Sequence, residues 1–124
     1  NGNGVTIYNT YDATYAYAPI TINGNNTGKL SAPTSGPTEA MLIFQDRSVT
    51  GNYANYIRGA SGFTVDGAIY FPTQAFEMRG NSSLKYTIVV ADTVEVSGTT
   101  TIKADYSGLT NGNPMLSKSF VFGE

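Results

Sequence analysis

Two glutamates, Glu77 and Glu95, stand 18 residues apart in similar runs of alternating apolar and polar residues, and they are the clearest candidates for chemistry. If the two runs lie side by side, the carboxylates are near the separation of roughly 5 Å that a retaining glycosidase uses. The alternative is a solvated row of charges balanced by Arg58 and Arg79 in the adjoining column. We favour the charge row, because a small repeat with little covering loop leaves no groove for a polysaccharide. We therefore predict no catalytic residues and a protein that is not an enzyme.

The residue types that are absent exclude several other kinds of site. The chain has no Cys and no His, which rules out a disulfide, a thiolate metal site, a cysteine nucleophile and a histidine base. Its net charge is −2, so it lacks the basic surface that binds nucleic acid. No apolar run is long enough to span a bilayer, so we expect no direct membrane insertion of this segment. The chain starts with Asn rather than Met, and we expect a mature product or an excised domain.

Oxygen-rich side chains are the remaining candidates for binding an ion or ordered water. Ca²⁺ needs about six to eight oxygen ligands, whereas an isolated aspartate at a corner more often accepts hydrogen bonds from backbone N–H groups. We therefore predict no metal site and no cofactor. The 16 Thr residues could order water on a flat face, but they are mixed with charged residues and Tyr, which favours a simple preference for strands. The four aspartates at expected corners are Asp46, Asp66, Asp92 and Asp105.

One short pattern, an alternating strand that ends in glycine, occurs four times. The copies read ITING, NYIRG, FEMRG and VEVSG, and they end at Gly24, Gly59, Gly80 and Gly98. If these glycines mark bends that need a positive φ, Gly80→Val is strongly destabilising. We expect two inward residues before each glycine and one further apolar residue after it. The inward residues are Ile20, Ile22, Asn55, Ile57, Phe76, Met78, Val94 and Val96, and the later apolar residues are Leu30, Phe63, Leu84 and Ile102.

A third strand precedes each copy, and in the second half of the chain all three strands recur with a period of about 18 residues. Three strands per turn predict a parallel β-helix (β-solenoid) of about four coils, stacked about 4.8 Å apart. The closing run MLSKSFVFGE predicts a C-terminal strand. A β-sandwich also has short, regularly spaced strands, but it does not require matching sequence at one period. We therefore predict an all-β protein with a single domain over residues 1–124.

Two insertions interrupt the first two copies of the repeat, at residues 10–18 and 46–56, and both are rich in Tyr. We expect them at the same corner, and insertions in repeat proteins often map to the binding side. A Tyr ring offers a flat apolar face and a hydroxyl, which suit glycans and protein surfaces. Alternatively, the rings only pack the insertions against the core. The candidate binding corner consists of Tyr11, Tyr15, Tyr17, Tyr53 and Tyr56.

The first face of the predicted coil has outward apolar residues, which need a cover. Either the terminal strand lies over them or another molecule does. The unpaired strand edges at the two ends of a solenoid are also templates for association. The candidate self-association residues are Ile43, Tyr70 and Val89 on the face and Phe120, Val121 and Phe122 in the terminal strand.

Several segments together resemble the C-terminal region of TadG-like proteins, among them APTSGP followed by LIFQDRS, then GAIYFPTQ and TIVVADT. These are pilus-assembly-associated proteins of the bacterial tight-adherence (Tad/Flp) system, and the resemblance covers almost the whole chain. It implies a right-handed coil in an extracytoplasmic domain, normally behind an N-terminal membrane anchor, and it carries no catalytic motif. Many relatives have Cys near the positions of Tyr86 and Tyr106, where this chain has Tyr and cannot form a disulfide.

Together these observations predict a small right-handed parallel β-helix that is extracellular or on the bacterial cell surface. The expected function is a non-enzymatic structural module of a surface or pilus/filament assembly, which acts by self-association and adhesion. The alternative is a monomeric carbohydrate-binding or adhesive recognition domain. The expected partners are other copies of the chain, other pilus or cell-surface proteins, or a glycan.

Overall fold

A computed structural model describes residues 1–24, 27–60, 62–81, 83–85, 88–110 and 112. Within these residues 51% are in strands and there is no helix; accordingly, no described helix could cross a membrane. The predicted terminal strand with Phe120, Val121 and Phe122 lies outside the described residues, as does Tyr86. The strands are β1 (Ile7–Asn9), β2 (Thr21–Gly24), β3 (Gly28–Ser31), β4 (Met41–Gln45), β5 (Asn55–Gly59), β6 (Phe63–Asp66), β7 (Ala68–Gly80), β8 (Ser83–Lys85), β9 (Val89–Ser97) and β10 (Thr101–Lys103).

The strands form two sheets in which every described pair is parallel. In the first sheet, the long strand β7 pairs with β4 and β5, these pair with β1 and β2, and β9 also pairs with β7. The second sheet has the order β10-β8-β6-β3. β7 is therefore the strand that organises the first sheet.

The prediction of a right-handed parallel β-helix with three faces is wrong. The structure has a curled, half-barrel sheet and a second sheet. The reason lies in β7, which runs for 13 residues without a break through the place where a corner between two faces was expected. A register irregularity against β9 between Phe71 and Ala75 bends the strand there, as bulges do. Two predicted faces thus merge into one curved sheet.

The core consists of side-chain ladders that run across the paired strands. One ladder joins Ile7, Ile43, Ile69 and Val89, and a second joins Ile22, Ile57, Met78 and Val96. The middle members are fully buried, because they have a neighbouring rung on both sides. Each Å² of apolar surface that these ladders remove from water stabilises the fold by roughly 25 cal/mol.

The apolar residue after each glycine was predicted correctly in three of the four copies. Leu30, Val65, Leu84 and Ile102 are in register across the second sheet. The expected residue in the second copy, Phe63, instead pairs with Gly28, and its ring lies against Gly24. The strand after Gly59 thus enters the ladder two residues later than expected, at the same distance from its glycine as Leu30 is from Gly24.

Gly80 stands at a sharp bend between the two sheets. Its φ is 94°, and a Cβ atom there would lie 2.2 Å from the carbonyl oxygen of Gly59. Both the left-handed backbone and the close approach of the neighbouring strand exclude a side chain. Gly80 is in register with Gly59, which is in turn in register with Gly24.

The two ends of the ladders differ in their covering. At the N-terminal end, residues 1–5 lie along β3: the Gly2 N–H donates to the Lys29 carbonyl, the Ser31 N–H donates to the Gly2 carbonyl, and the Val5 N–H donates to the Ser31 carbonyl. At the other end, β9 and β10 have no strand on their outer edges among the described residues. Val94, Val96 and Ile102 consequently remain 47%, 48% and 50% exposed.

Candidate functional site

The outer edge of β9 is the candidate interaction surface that the structure shows most directly. Unpaired N–H and C=O groups along an edge strand are a template for another strand. In the described part of the chain, β9 pairs on one side only, with β7. Val94 and Val96 follow Phe76 and Met78 in the core ladders, yet both valines are about half exposed. The edge therefore combines backbone hydrogen-bonding groups with apolar side chains.

Of the predicted first-face residues, Ile43 and Val89 do not face outward. Ile43 is 0% exposed and belongs to the core, and Val89 packs against that core. The expectation that Ile43 faces outward is therefore wrong. A bulge in β4 between Met41 and Ile43 shifts the register by one residue, and such a shift exchanges the two faces of a strand. Tyr70 is half-buried and lies in the outward row.

The outward row on this face is mostly aromatic, and three of its four residues were not predicted from the sequence. Tyr8, Phe44, Tyr70 and Val90 are in register across β1, β4, β7 and β9. The rings of Phe44 and Tyr70 stack with centroids 5.0 Å apart, and the ring of Tyr8 lies 5.7 Å from that of Phe44. The Cζ atom of Arg47 lies 5.4 Å from the centre of the Tyr70 ring. A sugar would need a free ring face, but neighbouring side chains already lie against these rings. The row is therefore better suited to accept a further side chain at its end than to bind a sugar.

The five tyrosines of the predicted corner separate into three groups. Tyr17 and Tyr53 pack on each other with ring centroids 4.6 Å apart, and Tyr17 is buried. Tyr56 lies on the outer face of β5 with the guanidinium of Arg58 5.6 Å from its ring centre. Tyr11 and Tyr15 are 44% and 73% exposed. The corner thus offers two exposed rings rather than five, and its binding role stays a prediction.

Asn55 anchors the tyrosine insertion to the core. This side chain is only 1% exposed, and its Oδ1 atom accepts hydrogen bonds from the Ile20 N–H at 3.0 Å and the Tyr17 hydroxyl at 3.2 Å. Its Nδ2 atom donates to the carbonyls of Tyr53 and Ala75 at 3.3 Å. Burial raises the pKa of Tyr17, which keeps this hydroxyl a donor. The insertion therefore has a structural attachment in addition to its exposed rings.

The two glutamates lie on adjacent strands, because Glu77 of β7 is in register with Glu95 of β9. A shallow cavity of about 410 Å³ opens beside them, and its walls include Phe76, Thr93 and Val94. However, the carboxylate of Glu77 is paired with the guanidinium Nε of Arg79. A glycosidase needs both carboxylates at the substrate, whereas here one is held by a cation. The prediction that the protein is not an enzyme stays a prediction.

Asp46 acts as a cap for a turn. Its carboxylate accepts hydrogen bonds from the Ser48 N–H at 2.9 Å, the Ser48 hydroxyl at 2.7 Å and the Thr10 hydroxyl at 2.8 Å. These bonds, with that of the Ser48 N–H as the largest cause, lower the pKa of Asp46 to about 2. Thr10 belongs to the first insertion, so Asp46 ties the two insertions together. No group of three or more acidic side chains that could hold a metal occurs within the described ranges.

Asp66 is the one aspartate that is buried among the described residues. It is 7% exposed, and its Oδ2 atom lies 3.7 Å from the Lys29 ammonium. Its Oδ1 atom has no hydrogen-bond partner within the part of the chain that the structure describes. A polar cavity of about 260 Å³ beside it is also lined by Asp105 and Ser107. The Lys29 cation already occupies the position next to this carboxylate, so the cavity is a poor site for a metal ion.

Comparisons of the chain with protein-family models, with curated proteins and with solved structures found no match. No relative therefore assigns a role to the β9 edge, the exposed tyrosines or the glutamate pair.

Proposed function

We propose that the chain is a non-enzymatic structural module of an extracellular bacterial surface or pilus/filament assembly, and that it acts by self-association and adhesion. The observation that carries the proposal is the outer edge of β9, nine residues long, where Val94 and Val96 remain about half exposed. An apolar edge of this kind favours strand addition by a partner. The resemblance of the chain to TadG-like pilus-assembly proteins supports the surface context.

The low charge of the chain fits the same proposal. Edge strands that must stay monomeric commonly carry charged residues or Pro. β9 has no Lys, Arg or Pro, and its two acidic residues, Asp92 and Glu95, leave four valines on the strand. The strand thus lacks most of the features that prevent association.

Sedimentation of the purified protein over a range of concentrations, together with electron microscopy, tests this proposal. We expect concentration-dependent oligomers, and we expect Val96→Lys to dissociate them, because a buried ammonium at the edge lacks a partner. The monomer should keep its melting temperature, since Val96 is already 48% exposed. Thr50→Lys, at an exposed loop position, is the matched control and should still associate. A monodisperse monomer at every concentration would contradict the proposal.

A second candidate function is recognition of a glycan by a monomer, which the exposed rings of Tyr11 and Tyr15 favour. Exposed aromatic rings can stack on the apolar faces of sugars. A glycan array probed with the protein and with Tyr15→Ala tests this candidate. Binding that is lost in the variant, by a protein that sediments as a monomer, would favour recognition over assembly.

A further inference from the structure

We infer that copies of this chain associate head to tail, with β9 of one copy beside β1 and β2 of the next, in the register that the chain uses between its own strands. The inference rests on the proposed self-association and specifies its partner, its strand direction and its contacts. The inferred occupant of the β9 edge, which is unpaired among the described residues, is thus a second copy of the chain.

The directions of the edge strands support this arrangement. The first sheet has β9 along one edge and β1 and β2 along the other. All of its described strand pairs are parallel, so β1 and β2 run in the same direction as β9. Translating one copy along the sheet therefore places β1 and β2 beside β9 in the parallel orientation that the sheet already uses. In the second sheet, the same translation puts β10 of the first copy where residues 1–5 of the second copy lie beside β3, so the contact requires those residues to leave β3. Repeated translation does not close on itself and produces a filament.

The core ladders indicate the register between β9 of one copy and β1 and β2 of the next. Ile7, Ile43, Ile69 and Val89 form one continuous row, and Val89 is its last member. The next rung in the same register is Ile7 of a second copy, and in the same way Ile22 follows Val96. Ile7 and Ile22 are only partly buried in the single chain, just as Val94 and Val96 are half exposed at the other end. Stacking two copies would bury both incomplete ends of the core.

The outward rows also match in this register. Tyr8 of the second copy follows Val90 of the first, which continues the aromatic row; these two side chains are 58% and 37% exposed. Glu95 would meet Thr21, and Ser97 would meet Asn23, because these residues occupy equivalent places in rows that already exist. No like charges oppose each other, which would disfavour the contact.

A pairing of β9 with β9 of another copy is the main alternative. A twofold axis there would make the two strands antiparallel, and the ladders of one copy would not continue into the other. That arrangement also stops at a dimer and leaves β1 and β2 exposed. The incomplete N-terminal ends of the ladders therefore favour the head-to-tail form.

Cysteine cross-linking tests the inference cleanly, because the chain has no cysteine of its own. In the double variant Tyr8→Cys/Val90→Cys, the two thiols within one copy are three strands apart, or roughly 14 Å, which is too far for a disulfide. Between stacked copies they are on neighbouring strands at about 4.8 Å, within disulfide range. We expect mild oxidation to produce a series of dimers, trimers and longer species on a non-reducing gel.

A second pair and two controls keep the test decisive. Asn23→Cys/Ser97→Cys should give the same series through polar outward positions, which tolerate substitution even if Tyr8→Cys lowers stability. Tyr8→Cys/Asp92→Cys is displaced by two residues along β9 and should cross-link far less. The single variant Val90→Cys should give no disulfide-linked dimer on the non-reducing gel, since such a dimer would indicate the twofold arrangement and overturn the inference.

The outcomes separate this inference from the proposed function. Oligomers that form in sedimentation without in-register cross-links by either pair overturn the head-to-tail register and leave self-association standing. A protein that neither sediments as an oligomer nor cross-links overturns both. In-register series from both pairs, with weak cross-linking of the displaced control, support the head-to-tail contact.

Discussion

The hydroxyl of Tyr17 donates a hydrogen bond to the Oδ1 atom of Asn55 across 3.2 Å, although the two residues are 38 positions apart in the chain. The same Oδ1 atom accepts the N–H of Ile20, just before β2 begins. One buried amide thus fixes both the tyrosine insertion and the start of an edge strand. Buried polar groups of this kind are costly when any member of the network is removed.

We expect Asn55→Ala to destabilise the protein by about 2–4 kcal/mol, because the Ile20 N–H and the Tyr17 hydroxyl lose their acceptor inside the core. Tyr17→Phe removes only one donor and should cost about 1 kcal/mol. Urea unfolding followed by circular dichroism measures both. Equal effects of the two substitutions would show that Asn55 does not organise the network as described.

The bend at Gly80 gives a second prediction. A side chain there would have to accept a φ of 94° and a Cβ atom 2.2 Å from the Gly59 carbonyl oxygen. We therefore expect Gly80→Val to destabilise the fold by more than about 2 kcal/mol. Gly108→Ala is the control, since an added Cβ there meets nothing within 4 Å. Thermal unfolding of the two variants compares them, and a neutral Gly80→Val would be incompatible with the described contact between the strands.

Asp46 predicts a specific dependence of stability on pH. Its pKa falls from 3.8 to about 2 in the folded chain, so its contribution is present above pH 3.8 and is lost as the pH falls through about 2. Asp46→Asn should therefore lower the melting temperature at neutral pH, and the difference from the native chain should shrink as the pH approaches 2. Melting curves at a series of pH values measure this difference. Thr50→Ala, at an exposed loop position without a carboxylate, serves as the control, and its difference from the native chain should not change over this pH range.

The substitution Glu77→Gln distinguishes a solvated row of charges from a catalytic pair of glutamates. The ion pair between Glu77 and Arg79 joins side chains at the surface of the sheet, and such pairs are worth at most about 1 kcal/mol. We expect a change of that size or less in the free energy of unfolding. We also expect no change in the products when polysaccharides are incubated with either protein. Cleavage by the native chain that disappears in Glu77→Gln would instead establish an enzyme.

The sequence repeat was sufficient to predict which residues share the ladders just before the repeated glycines, but it predicted neither the rows of the first face nor the shape of the sheet. The row Ile22, Ile57, Met78 and Val96 follows from aligning the four glycines. Whether a strand turns a corner or bends smoothly, however, depends on backbone angles over a few residues. Around Pro72 the chain continues as β7, and nothing in the 18-residue period distinguishes that bend from a turn.

The outward row of the first face shows a second limit of prediction from the sequence. A bulge beside Leu42 adds one residue to β4, and a single added residue moves every later side chain to the opposite face. The sequence pattern, which does not reveal the bulge, therefore places Ile43 in the outward row with Tyr70. The burial of Asn55 was predicted, because its place in the repeat is apolar elsewhere, but its partners on a distant insertion could not be read from a local pattern.

The spacing of paired residues along the chain has a consequence for the order in which the structure forms. Residues paired between β7 and β9 are 18 to 20 positions apart, whereas those paired between β1 and β4 are 36 apart. Closing a longer loop costs more conformational entropy, and pairing of distant segments slows folding. We therefore expect the part of the sheet around β7 to form first and the N-terminal strands to join it later. During synthesis, the first segments to emerge would have to wait for partners that are made afterwards.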